Sequence, residues 1–222
     1  MTVNRAFAFA GIFFAALLCA ALLAAVPPPQ TWHFDSTKKI GGHAAIVLGH
    51  PRVIDTPKGR AVEFNGVDDA LFLDVHPLAG AGTWTWEVIF RPDAGGASEQ
   101  RFFHLAENGT DNRMLFEIRL TGNEWCLDSF AKSGDASLAL MDRSKLHPAG
   151  VWYHAAAVYD GHEFRNYVDG VLEGKGELHL APQGAGRTSV GVRINKVNYF
   201  KGAVREARMT PRALQVSEFL KK

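Results

Sequence analysis

The chain has 222 residues, 47% of them hydrophobic, with 24 Lys and Arg against 23 Asp and Glu. That length buries a full core without disulfide help and suits a single all-β domain. A charge balance this even excludes the strongly basic surface that a nucleic-acid backbone demands.

Arg5 precedes an uncharged run, Ala6–Val26, that ends in small residues. A charged start, an apolar stretch and small residues form the pattern of a secretory signal peptide. At 21 residues the run also approaches the ~20 that span a bilayer. Residues 1–26 therefore read as an apolar leader helix, either a signal peptide or an N-terminal membrane anchor. Export follows in both cases: the protein is expected to be secreted or periplasmic, or held at the inner membrane by residues 6–26. Residues 27–31 form a Pro-rich spacer, and 32–222 one domain. Past the leader only Cys126 remains, so no internal disulfide is expected, and its strand context reads as a buried, inert thiol.

Trp32-His33-Phe34 reads as a first strand. Lys38–Lys58, rich in Gly, His and Pro, reads as a long loop holding a short strand at Ala45–Leu48; His43 and His50 lack the spacing and acid partner of a zinc site. Ala61–Phe64 and Ala70–Leu73 flank a turn in which Asn65, Asp68 and Asp69 are candidate oxygen ligands for calcium. Trp84–Arg91 alternates strictly, with Trp84, Trp86, Val88 and Phe90 on one face and Thr85, Glu87, Ile89 and Arg91 on the other. Arg101–Ala106 follows. In Arg113–Leu120, Met114, Phe116, Ile118 and Leu120 make a core face, and Arg113, Glu117 and Arg119 project oppositely. Asn123–Phe130, Ala136–Met141 and Leu178–Leu180 read as further strands. Ser189–Asn195 places Val190, Val192 and Ile194 inward and Arg193 and Asn195 outward. Phe200–Thr210 is the last strand, and Pro211–Lys222 closes the chain with a short helix docked through Leu214, Phe219 and Leu220.

Trp152–Gly174 fixes the fold class best. Its strand-forming runs are separated by Asp160-Gly161 and Asp169-Gly170. Asp-Gly between alternating runs signals a hairpin, because type I′ turns need positive φ at both central residues. The segment, Trp-x-His-x-Ala leading through Tyr-Asp-Gly to Tyr-Val-Asp-Gly, resembles the signature of bacterial laminin-G-like, concanavalin A-like jelly-roll domains. Ala61–Leu73 resembles the early strand pair of that family, and Phe200–Leu214 its closing strand. The resemblance covers roughly residues 30 to 222. It implies a two-sheet antiparallel β-sandwich, and a family of adhesins, sugar-binding modules and accessory domains of enzymes.

Two kinds of enzyme share the architecture. Laminarinase-type glycosidases carry Glu-x-Asp-x-x-Glu on one strand; here Arg119 stands where the Asp belongs in the string from Glu117. Jelly-roll lyases need an Arg or Asn beside a Tyr or His. Arg113, Arg119 and Tyr199-Phe200-Lys201 supply part of that set, but the Gln-x-His partner strand is missing. The residues point instead to a non-catalytic module binding carbohydrate, with an acidic glycan suited to guanidinium contacts on the charged outer face of one sheet. Glu87, Arg91, Arg113, Glu117, Arg119, Arg193, Asn195 and Tyr199 are the candidate ligand-binding residues. A lyase or hydrolase, and an extracellular protein-interaction or scaffold module, are the alternatives.

Overall fold

Strands with one apolar and one polar row can hide the apolar rows from water by closing face to face in two layers. The computed structural model, which describes residues 28–222, shows that closure. In chain order the strands are β1 (Gln30–His33), β2 (Lys39–Ile40), β3 (His43–Leu48), β4 (Arg52–Thr56), β5 (Gly59–Asn65) and β6 (Ala70–Leu73). There follow β7 (Trp84–Pro92), β8 (Glu99–Glu107), β9 (Arg113–Thr121), β10 (Glu124–Ser133), β11 (Ala136–Met141) and β12 (His147–Pro148). The last five are β13 (Tyr153–Tyr159), β14 (Glu163–Val168), β15 (Val171–Glu177), β16 (Gly186–Val190) and β17 (Lys201–Thr210). The leader and its expected helix lie outside the described residues.

The first sheet runs β15-β14-β13-β7-β17-β5-β4, with β1 also on β17; the second runs β11-β10-β9-β8-β16-β6-β3-β2, with β12 on β10. All pairs are antiparallel. Between the layers Phe90 of the first sheet stacks on Phe102 of the second at 4.1 Å, and Phe102 on Phe116 at 5.5 Å. Phe116, Ile118 and Val192 are fully buried, as the alternation requires.

The two Asp-Gly pairs make different turns. Asp169 and Gly170 both have positive φ, 50° and 79°, and join β14 to β15 in a two-residue turn. At the other, only Gly161 is left-handed, and Asp160 Oδ1 accepts the His162 and Glu163 N–H groups across a three-residue loop.

Several expectations need correction. Lys38–Lys58 is mostly strand: β2 and β4 escape the reading because one has two residues and the other is an edge strand bracketed by Pro51 and Pro57. Leu178–Leu180 is not a strand, although Leu178 is buried. β16 stops at Val190, because Gly191 (φ 85°) turns the chain so close to Phe64 that a Cβ would lie 2.4 Å from its ring. Arg193 and Asn195 therefore sit in a loop. The closing helix is a single 3₁₀ turn, Val216–Glu218, within an otherwise extended strap. An extended strap leaves N–H groups free to bind the sheet, and Leu214 N donates to Thr85 Oγ1 and Leu220 N to Glu87 Oε1. The docking itself is as expected for Leu214 and Phe219, both buried, while Leu220 is half-buried.

Candidate functional site

On the outer face of the second sheet, pairing register puts charged side chains in rungs. Asp128 of β10 faces Glu117 of β9, which faces Arg101 of β8; the next rung is Cys126, Arg119 and Glu99. A bulge between Arg101 and Phe103 lets two successive phenylalanines, Phe102 and Phe103, turn into the core while Arg101 stays outside.

These rungs border a shallow pocket of about 200 Å³, with Leu115, Phe130 and Ala139 as its apolar lining. Four guanidinium groups, of Arg101, Arg113, Arg119 and Arg193, line it against two carboxylates, of Glu117 and Asp128. Arg119 Nη2 lies 2.6 Å from Asp128 Oδ2, and Arg119 Nη1 3.1 Å from Glu117 Oε2. Arg101 Nε lies 3.0 Å from the same Glu117 oxygen. Neither Arg101 Nε nor Arg119 Nη1, both buried, completes a hydrogen bond there. Arg113 lies over the Phe130 ring at 4.7 Å and is tied to Asp111 at the rim. Arg193 makes no ion pair with any described residue, and burial followed by the nearby Arg113 and Arg101 charges pulls its pKa down. Burial raises the Glu117 and Asp128 carboxyls above the usual range; the neighbouring Asp128 charge adds to the rise at Glu117, against the pull of the arginines.

The eight residues singled out from sequence divide. Arg113, Glu117, Arg119 and Arg193 meet in this pocket. Asn195, exposed, and Tyr199, half-buried, belong to the loop after β16 and do not line it. Arg91 lies on the first sheet, the opposite face of the sandwich, paired with Asp93 and Glu63. Glu87 shares that sheet, and its placement on an open face is corrected outright. It is 0% exposed under the C-terminal strap, bound by His154 Nε2 (3.0 Å), Arg208 Nε (2.6 Å) and Leu220 N (2.7 Å). Sequence reasoning missed Arg101 and Asp128; the signal was their register opposite Glu117, which the Gly122 hairpin sets for Asp128 and the β8–β9 pairing with its bulge sets for Arg101.

The calcium expectation meets a different geometry. Asn65 Oδ1 accepts the N–H groups of Val67, Asp68 and Asp69, while Asp69 accepts those of His50 and Asn65. The oxygens meant for a cation thus close the turn. Among the described residues no group of three or more His, Cys, Asp or Glu side chains could hold a metal ion. Cys126 is buried, and that burial pushes its thiol pKa up.

A family model for the concanavalin A-like lectin/glucanases superfamily matches residues 65–219. No curated protein matches the sequence. Among solved structures, domain 4 of AbnA, a GH43 extracellular arabinanase from Geobacillus stearothermophilus in complex with arabinotriose, is similar with TM-score 0.59 and 17% identity, over 87% of this chain and 97% of that one. The binding domain of Paraclostridial Mosquitocidal Protein 1 is similar with TM-score 0.58 and 14% identity, over 85% of this chain and 50% of that chain. The binding domain of Botulinum Neurotoxin DC in complex with SialylT gives TM-score 0.56 and 8% identity, over 85% and 49%. This chain therefore spans about half the length of the toxin domains it matches.

Proposed function

Because the chain belongs to the concanavalin A-like lectin/glucanases superfamily, we propose that it is an exported carbohydrate-binding module holding an acidic glycan on the outer face of its second sheet. One observation carries this reading: four arginines face two carboxylates in one pocket, and one of the four, Arg193, offers donors that no described residue engages in an ion pair. Such donors favour a planar oxyanion, which a guanidinium grips with two parallel bonds. The apolar patch of Leu115 and Phe130 offers contact to a sugar ring. A domain of similar fold in complex with arabinotriose supports a saccharide as the ligand class, and the charged start and apolar run of residues 1–26 support export.

The test is a glycan array with R113A/R193A beside the parent. Arg113 pairs only with Asp111 at the rim and Arg193 with no described carboxylate, so the double variant is expected to fold. Retention of uronate or sulfated glycans should fall at least about tenfold, the effect of losing ~1.4 kcal/mol. Unchanged retention by a folded double variant would remove the pocket from consideration.

A second reading, hydrolysis, is favoured by the side-by-side Glu117 and Asp128 with their raised pKa values, since paired, perturbed carboxyls are the equipment of glycosidases. Release of reducing ends from a polysaccharide panel, abolished in E117Q, would establish it.

A further inference from the structure

The outer face of the first sheet holds a cation of another kind. The bulge in β17 between Val204 and Glu206 inserts Arg205, whose exposure is 8%. Arginine is almost never this buried without an acid partner. Its neighbour Arg91 obeys that rule with two carboxylates, Asp93 and Glu63. Arg205 has none: among the described residues no carboxylate lies within salt-bridge distance of it and no side-chain hydrogen bond satisfies it. Instead its guanidinium lies over the Trp152 ring at 5.5 Å, with that of Arg91 at 5.6 Å from the same ring. The indole orients the fork but cannot neutralise it. Arg205 and Trp152 line a pocket of about 460 Å³ whose rim carries Lys58, which donates to the Lys222 main-chain oxygen, and Lys222, tied to Asp169.

We propose that this pocket is an oxyanion-binding site, in which the Arg205 fork takes a carboxylate or sulfate group and Lys58 adds long-range attraction. It shares no residue with the glycan pocket of the second sheet, so either site can fail without the other. The planar guanidinium suits two-oxygen recognition, and an anion there supplies the direct partner that no described carboxylate provides.

The measurement is NMR on the full chain. The Trp152 indole N–H resonance, assigned by its disappearance in W152F, is followed during titration with sodium sulfate and with trigalacturonate, each against sodium chloride at equal ionic strength. The resonance should move saturably with both ligands, keep that response in R193A, and lose at least about tenfold in apparent affinity in R205M. R205K, which keeps the charge without the fork, should show a comparable loss and serves if R205M does not fold. Trigalacturonate saturating at the lower concentration would assign the anion to a sugar acid, and sulfate doing so would assign it to a free inorganic oxyanion. A resonance unmoved by both ligands in the folded parent, or moved equally in R205M, would overturn the site. Loss of glycan retention in R113A/R193A with an intact Trp152 response would show that the two sites stand separately.

Discussion

Glu87 carries its charge where no water reaches, and three donors replace the lost solvent. Burial alone would push its pKa up, yet His154, Arg208 and the Leu220 N–H outweigh it and hold the carboxyl below its usual range. A folded pKa below the unfolded one stabilises the native state above the unfolded value, and that stability is lost as pH falls through the folded pKa. Replacing it with Gln turns an amide N–H₂ toward donors; we expect E87Q to lose roughly 3–5 kcal/mol in urea unfolding at pH 7. His104 works with the opposite charge. Its Nδ1 accepts the Ile194 N–H, and burial followed by the Arg193 and Arg113 charges lowers its pKa to about 3. The unfolded chain therefore takes up a proton near pH 6.5 that the folded chain refuses, so stability declines as pH falls from about 6.5 toward 3. The fall in melting temperature between pH 6.5 and 4 should be shallower in H104Q than in the parent, by a scan at matched ionic strength.

At the scale of elements, the C-terminal strap does what the closing helix was expected to do, by another conformation. Leu214 and Phe219 form a small cluster with Ala156 and Val158, with Tyr167 beside it, on the outside of the first sheet. Thr85 Oγ1 donates to Arg212 O and accepts from Leu214 N, pinning the strap's start. Truncation to Leu214→Ala should cost about 2–5 kcal/mol, and removal of residues 212–222 should expose Glu87 and His154 and raise binding of an apolar dye. The strap shows where sequence reading runs out. Its apolar residues were legible from pattern, but its extended path depends on Glu87 and Thr85, 127 to 133 residues away. β7, β9 and the β13–β15 meander were legible because alternation and Asp-Gly turns are local signals. The pocket was half legible: β9 announces Arg113, Glu117 and Arg119, whereas Arg101 and Asp128 enter through register and a bulge. Glu87 and Arg91 were grouped with them because alternation gives a face but not the sheet to which it belongs.

For the whole molecule, near-neutral net charge means that recognition of an acidic polymer must come from local clusters. The carboxyls of Glu117 and Asp128 oppose that recognition while ionised. Since burial raises their pKa values, they protonate earlier than freely exposed carboxyls as pH falls. Retention of a sulfated oligosaccharide, which keeps its charge in acid, should therefore strengthen as pH is lowered toward the carboxyl range, measured by calorimetry; a constant or falling affinity would count against the pocket. β17, which ends twelve residues before the last, lies between β7 and both β5 and β1. Until it leaves the ribosome the first sheet is three unjoined pieces with open edges, β15-β14-β13-β7, β5-β4 and β1 alone, so nascent chains arrested near residue 195 should be cut rapidly by protease while released chains resist. In this layer the polypeptide therefore stays open to attack until residues 201–210 have emerged and paired.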